Sequence, residues 1–328
     1  MASNKNILKN DNRLNRLDPR RPVAIWKSQD LLGEESISSL TIILRTIGCR
    51  WNKCTMCGYA SEGAPATADD LLAQFSQALQ RLSPEDKIIK IYTSGSFLDP
   101  REMPEVARDR ILDIIRDKGI ARLVIESRPE HITPERIKDC LSRVETEFAI
   151  GLETSSDLIR ENIIHKGFSF NDFALASEMI HEKGGRVKAY LLLKPPMLSE
   201  GEALKDAVSS ARAARPYADT LSLNLCNIQR GTYVERLWER GEYRPPWLWS
   251  AVEILRSIEG PIICDPVGAG TKRGPHNCGK CDESIAEAIR KHALTQDVSV
   301  FDGLDCRCKA TWRKAMDLEE HSFGVPLE

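Results

Sequence analysis

Six short apolar runs, the first five each followed by a stretch of helical spacing, constrain this chain more than any other feature. The runs are Thr41–Leu44, Ile88–Tyr92, Leu123–Ile125, Glu147–Leu152, Val187–Leu193 and Thr220–Leu225. Helical spacing follows over Leu71–Leu82, Val106–Ile115, Pro134–Leu141, Phe173–His181 and Ala203–Ala214. Strands that alternate with helices in this way predict a parallel sheet with crossover helices. Six βα units suit either an open doubly wound sheet or a barrel. Polar residues stand just past strand after strand: Cys49, Ser94, Glu126, Arg128, Glu153, Lys194 and Asn227. Sites in parallel α/β folds lie at the carboxyl ends of strands, and a barrel brings all of these residues to one place.

The rhythm predicts three regions. Residues 1–37 are polar and carry Arg13, Arg16, Arg20 and Arg21, which reads as a solvated extension or an arm that touches phosphates. Residues 38–232 form the βα body. Residues 233–328 lose the rhythm; they hold Tyr243-Arg-Pro-Pro-Trp-Leu-Trp249, a helix over Trp249–Ile258, a short strand over Pro261–Cys264, a helix over Ser284–Ala293 and a cluster of cysteines. No internal repeat or low-complexity segment stands out.

Composition excludes little but directs the reading of cysteine. Lys+Arg is 46 against Asp+Glu 48, so the charge of −2 does not mark a dedicated nucleic-acid binder. The chain has no apolar run of membrane-spanning length and no apolar leader, so the expected location is the cytoplasm, with no membrane partner. In that compartment clustered cysteines are metal ligands or catalytic groups more often than disulfides. Eight of the ten cysteines fall in two groups; Cys140 and Cys226 stand apart as buried small residues.

The first group is Cys49, Cys54 and Cys57, spaced C-x4-C-x2-C directly after the first strand. Three thiolates on one loop suit three irons of a [4Fe–4S] cluster and leave the fourth open. An open iron can chelate the amino and carboxylate groups of S-adenosylmethionine, whose one-electron cleavage yields a 5′-deoxyadenosyl radical. A zinc site completed by a distant ligand, or inert buried cysteines, are the alternatives. The second group is Cys264, Cys278, Cys281, Cys306 and Cys308; it pairs Cys278-x2-Cys281 with Cys306-x-Cys308, and His276 or Cys264 could replace one of those four. Two such knuckles suit a structural zinc ion, with an auxiliary iron–sulfur cluster as the rival.

These features resemble the radical S-adenosylmethionine superfamily. Its usual spacing is C-x3-C-x2-C, so the first gap here is one residue longer, and Met56 replaces the usual aromatic. The resemblance implies a partial (β/α)6 TIM-like barrel with a small cysteine-containing C-terminal domain. It also implies cofactor contacts at the strand ends: Thr93, Ser94 and Gly95 after the second, Glu126 and Arg128 after the third, and Glu153 after the fourth. The bland reading of each charged residue is a surface ion pair or a helix-start charge.

A closer likeness rests on Gly48-Cys-Arg-Trp51, Cys54-Thr-Met-Cys-Gly-Tyr59, Glu126-Ser-Arg-Pro129, Gly151-Leu-Glu-Thr-Ser155, Asn227–Thr232, Tyr243–Ser250 and Gly274–Cys278. With these stretches the chain resembles the family of archaeosine-synthase radical subunits and, more distantly, the radical domain of the Elongator catalytic subunit. That likeness implies a C–N lyase of archaeal tRNA modification. The enzyme would cleave the lysine adduct of preQ0 at tRNA position 15 to leave archaeosine. Implied partners are the modified tRNA, a lysine-transferring subunit related to tRNA-guanine transglycosylases, and a reductant. A radical enzyme acting on another RNA or a small molecule, and a zinc-stabilised binding protein without catalysis, are the competing functions. Arg230, Arg244, Trp247 and Trp249 are candidate base contacts, with core packing as the bland reading of the tryptophans.

Overall fold

The computed structural model describes residues 17–322. Arg13 and Arg16 of the expected arm lie outside the described residues, whereas Arg20 and Arg21 are exposed and face Asp70 and Asp18. The remainder of that polar segment is ordered into a strand. β1 (Ala24–Leu32) turns at Gly33 and runs back antiparallel along β2 (Glu35–Ile43). Gly33 takes φ 65°, a conformation glycine adopts without steric cost.

The chain divides into two compact units. The first comprises Met1–Asn52, Cys57–Gly151 and Leu175–Val187. Within it, β2 pairs in parallel with β3 (Asp86–Tyr92), β3 with β4 (Arg122–Glu126), and β4 with β5 (Glu145–Glu153). The registers run Leu40↔Ile89, Ile91↔Ile125 and Ile125↔Phe148. Ser39, Leu40, Thr41 and Ile42 are all fully buried, so β2 is covered on both faces, as strands of parallel sheets are. The crossovers are α1 (Ala68–Leu79), α2 (Glu105–Asp117) and α3 (Pro134–Leu141). Thr67 and Asp70 form a capping box at the start of α1, and Thr133 caps α3 ahead of Pro134. Leu71, Phe75, Ile111, Leu112 and Ile115 supply the buried faces.

The second unit comprises Lys53–Met56, Leu152–Ala174 and Lys188–Glu328. Here β6 (Arg186–Leu193), β7 (Thr220–Leu225) and β8 (Ile262–Cys264) pair in parallel in that order. Between β5 and β6 the chain forms a π-helix, Arg160–Ile164, and then α4 (Phe170–Glu182). α5 (Glu200–Ala214) crosses from β6 to β7 behind a Ser199–Glu202 capping box. α6 (Tyr233–Glu239), α7 (Leu248–Ser257), α8 (Asp282–Thr295) and α9 (Cys308–Ser322) complete it. Among the described residues no helix is long and apolar enough to cross a membrane.

Candidate functional site

Cys49 sits at the end of a segment pinned from several sides. After β2, the Arg45 N–H donates to Gln74 Oε1 at 2.7 Å, and Gln74 Nε2 returns a bond to the Arg45 carbonyl at 2.9 Å. The Thr46 hydroxyl donates to Glu102 Oε2 at 2.9 Å. Gly48 then takes φ 100°, which a side chain would resist.

Glu102 is the organiser of this place. Its two carboxylate oxygens also accept the backbone N–H of Gly95 at 3.1 Å and of Ser96 at 3.0 Å. The carboxyl therefore fastens the Cys49 approach to the turn after β3. Burial pushes its pKa up to about 7, against the opposing pull of those donors. Gly95 has no alternative residue: a Cβ there would lie 2.5 Å from Glu102 Oε1 and 2.8 Å from Cys49 Sγ. Thr93 is buried, and its hydroxyl oxygen has no hydrogen-bond partner among the described residues. Ser94 is half-buried, with its hydroxyl 3.4 Å from the Tyr59 carbonyl.

The end of β4 joins the same turn. The Glu126 carbonyl accepts from Phe97 N–H at 2.8 Å, and the Arg128 N–H donates to Ser96 Oγ at 3.0 Å. The Arg128 guanidinium donates to Glu130 at 2.5 Å and lies 5.2 Å from the centre of the Trp51 ring, in the cysteine loop itself. Arg50, beside Cys49, grips buried Asp99 through two bonds at 3.1 and 2.7 Å. His131 lies 3.5 Å from the same carboxylate, yet burial holds its pKa below the usual imidazole value. The structure thus brings Cys49, Trp51, Gly95, Ser96, Glu102 and Arg128 into one connected patch.

Cys54 and Cys57 are half-buried cysteines. Glu153 ends β5 in the left-handed region, φ 67°, a costly conformation for a residue with a side chain. Its carboxylate pairs with Lys166 at 2.6 Å. Past β6, buried Lys194 pairs with buried Glu200 at 2.8 Å. Glu200 also accepts from Trp247 N–H at 2.8 Å and Ser250 Oγ at 2.5 Å, while Tyr243 OH donates to the Lys194 carbonyl. Cys226 and Cys140 are buried, and burial raises their thiols to about 11 and about 12.

The second cysteine group closes into a cage. Sulfur–sulfur distances are 4.0 Å for Cys278–Cys281, 3.7 Å for Cys278–Cys306 and 3.5 Å for Cys281–Cys308, with all four sulfurs within 4.8 Å. Trp249 Nε1–H donates to Cys308 Sγ at 3.3 Å, and Asn277 Nδ2 to Cys281 Sγ at 3.5 Å. Cys264 is instead buried in β8, and His276 Nδ1 lies 2.8 Å from the Gly274 carbonyl.

Of the two readings of the tryptophans, base contact and core packing, the structure shows core packing. Trp247 and Trp249 are 8% and 2% exposed and pack within the C-terminal segment. Arg244 is half-buried, stacks on Trp247 at 3.9 Å and donates to the His276 carbonyl at 2.6 Å. Apolar area outweighs stacking capacity when an aromatic has a core to enter. Arg230 is exposed. The sequence reading missed Glu102, Asp99 and Lys166. Each is a charged loop residue whose role exists only through a tertiary contact.

The donors present fit an iron–sulfur cluster and S-adenosylmethionine. Three cysteines stand on one loop, the Gly95 backbone lies against Cys49 Sγ, and the buried Thr93 hydroxyl has no hydrogen-bond partner among the described residues.

Comparison with known proteins agrees. The family model for the radical SAM superfamily matches residues 43–207. The archaeosine synthase subunit beta of Methanosarcina acetivorans is 44% identical over 345 aligned positions, covering 100% of this chain and 99% of that protein. The protein of the same name from Thermococcus kodakarensis is 41% identical, covering 88% of this chain and 94% of that one. Among solved structures, the archaeal Methanocaldococcus infernus Elp3 aligns with TM-score 0.51 at 18% identity, over 68% of this chain and 59% of that chain. The last likeness shows the fold, the α/β partial barrel that the family resemblance implied.

Proposed function

The chain belongs to the radical SAM superfamily, and from that premise we propose that it is the radical subunit of an archaeosine synthase. It is a radical SAM enzyme. Its substrate in this reading is tRNA carrying the lysine adduct of preQ0, and the bond broken joins the lysine side chain to the nitrogen that archaeosine retains. The carbon beside that nitrogen has no acidic proton for a general base. When bound, the cluster and S-adenosylmethionine supply one-electron chemistry that removes a hydrogen atom from such a carbon.

Cys49, Cys54 and Cys57 would hold the cluster. Thr93, Ser94 and Gly95 would present backbone and hydroxyl groups to the methionine end of S-adenosylmethionine. The planar fork of Arg128 suits its carboxylate, and Trp51 and Glu130 already hold that fork in place. Glu126 and Glu153 suit ribose hydroxyls. A lysine-transferring subunit would supply the adduct, and an external reductant the electron.

The cage of Cys278, Cys281, Cys306 and Cys308 suits one zinc ion. Tetrahedral ligands about 2.3 Å from a zinc ion stand about 3.8 Å from one another. The observed 3.5, 3.7 and 4.0 Å match that spacing. A cubane would spread its ligand sulfurs over a wider span.

The observation that carries this reading is the 44% identity to an archaeosine synthase subunit, running over 100% of the chain. The test is turnover. The anaerobically reconstituted chain, given reductant, S-adenosylmethionine and lysine-adduct tRNA, should release 5′-deoxyadenosine and leave archaeosine in the nucleoside digest. Release of 5′-deoxyadenosine with no archaeosine would refute the substrate and keep the radical enzyme.

A further inference from the structure

The step between Cys54 and Cys57 holds Thr55 and Met56. Every polar group of Thr55 is engaged. Its N–H donates to the Ile164 carbonyl at 3.0 Å, and its hydroxyl donates to the Ile163 carbonyl at 2.8 Å, 108 residues away. Those two carbonyls end the π-helix, after which His165 turns into the left-handed region at φ 58°. Terminal helix carbonyls lack partners within their own helix, so Thr55 caps this one from a distant part of the chain.

On its other side, the Thr55 carbonyl accepts from Tyr233 N–H at 3.0 Å and Val234 N–H at 3.3 Å, the first donors of α6. The Thr232 hydroxyl accepts the next one, Glu235 N–H, at 3.1 Å. One residue therefore satisfies orphan groups at two helix ends. Met56 adds an apolar anchor, packed on the cluster of Leu192, Cys226, Ile228, Val234, Leu237 and Tyr243. The π-helix also leads into Lys166, whose N–H closes it on the Arg160 carbonyl at 3.0 Å and whose amine holds Glu153. π-Helical turns concentrate at functional sites, and this one joins the cysteine loop to a strand-end carboxylate.

We infer that Thr55 is a positioning residue that sets Cys54 in its ligating place before any iron arrives and keeps it there afterwards. The inference rests on the reading of Cys49, Cys54 and Cys57 as cluster ligands. A ligand on an unanchored loop gives up ordering free energy when it binds; one already bracketed does not. The hydroxyl is the group to test. Valine matches threonine in shape and keeps the backbone bonds but loses the donor to Ile163, whereas serine keeps it.

The experiment compares the full-length wild type, Thr55→Val and Thr55→Ser after anaerobic reconstitution with iron and sulfide. Cluster loss is followed by the decay of visible absorbance in excess chelator, and ligand geometry by the EPR g-values of the reduced protein. Thr55→Val should lose its cluster roughly three- to tenfold faster, the range expected for one lost hydrogen bond. Its g-values should shift, and Thr55→Ser should restore both. General destabilisation of the fold would leave the g-values unmoved. Wild-type decay and g-values in Thr55→Val, or equal impairment of the two variants, would overturn the inference. A wild-type chain that takes up no iron and sulfide would overturn the cysteine reading itself, and the inference with it.

Discussion

Replacing Glu102 with glutamine should remove a pH dependence of stability that the fold builds in at the base of the site. An unfolded glutamate titrates near 4.5, whereas burial raises the folded Glu102 to about 7. Between those values the folded chain retains a proton that the unfolded chain has released. Stability from this group is therefore full below about pH 4.5 and is lost as pH rises through about 7. The shift from 4.5 to about 7 corresponds to about 3 kcal/mol. Glutamine keeps the size and one acceptor, does not titrate, and still meets the donors of Thr46, Gly95 and Ser96 in part. The assay is urea unfolding of the metal-free, reduced chain at several pH values from 5 to 8. Each variant's stability at pH 8 is subtracted from its own value at pH 5. Other carboxylates cancel between the variants, and part of the effect is already lost at pH 5, so the wild type should lose about 2 to 3 kcal/mol more than Glu102→Gln over this range. Parallel pH profiles would show that the Glu102 carboxyl ionises as it does in water, and the argument that burial dominates its environment would fail.

Three further outcomes follow from the same geometry. Gly95→Ala places a Cβ 2.8 Å from Cys49 Sγ and 2.5 Å from Glu102 Oε1, so the reconstituted protein should hold less iron and sulfide per chain; full iron content would refute the close approach. Lys194→Met leaves Glu200 buried and unpaired, which should cost about 3–5 kcal/mol in denaturant unfolding. Lys194→Met with Glu200→Gln should recover part of that loss, and an equal or larger loss in the double variant would count against a paired charge. Alanine at Cys49, Cys54 and Cys57 together should abolish iron binding yet retain one zinc per chain by elemental analysis. Further change of Cys281 and Cys308 to serine should release that zinc; retention of the ion would place it elsewhere.

How much of this was legible in the sequence follows from the range of each interaction. The six βα units were readable because apolar runs and helical spacing are local patterns, and all six predicted strands form. β1 escaped notice because Ala24–Leu32 mixes Lys27, Ser28, Gln29 and Asp30 into its length. It lies antiparallel to β2 at the edge, where one side can stay polar. The Thr93–Gly95 turn was legible as a site for close backbone approach because glycine after a strand has few other uses. What that glycine approaches was not legible: the Cys49 sulfur and the Glu102 carboxylate reach it through folding alone. Trp247 and Trp249 carried two readings, base contact and core packing, and the structure shows the second. Their neighbours Arg244 and Pro245-Pro246 suggested a recognition surface, but Trp249 donates to Cys308 Sγ and Trp247 caps onto Glu200. A cysteine cage orders the segment around it, and an ordered segment gives its large aromatics somewhere to be buried.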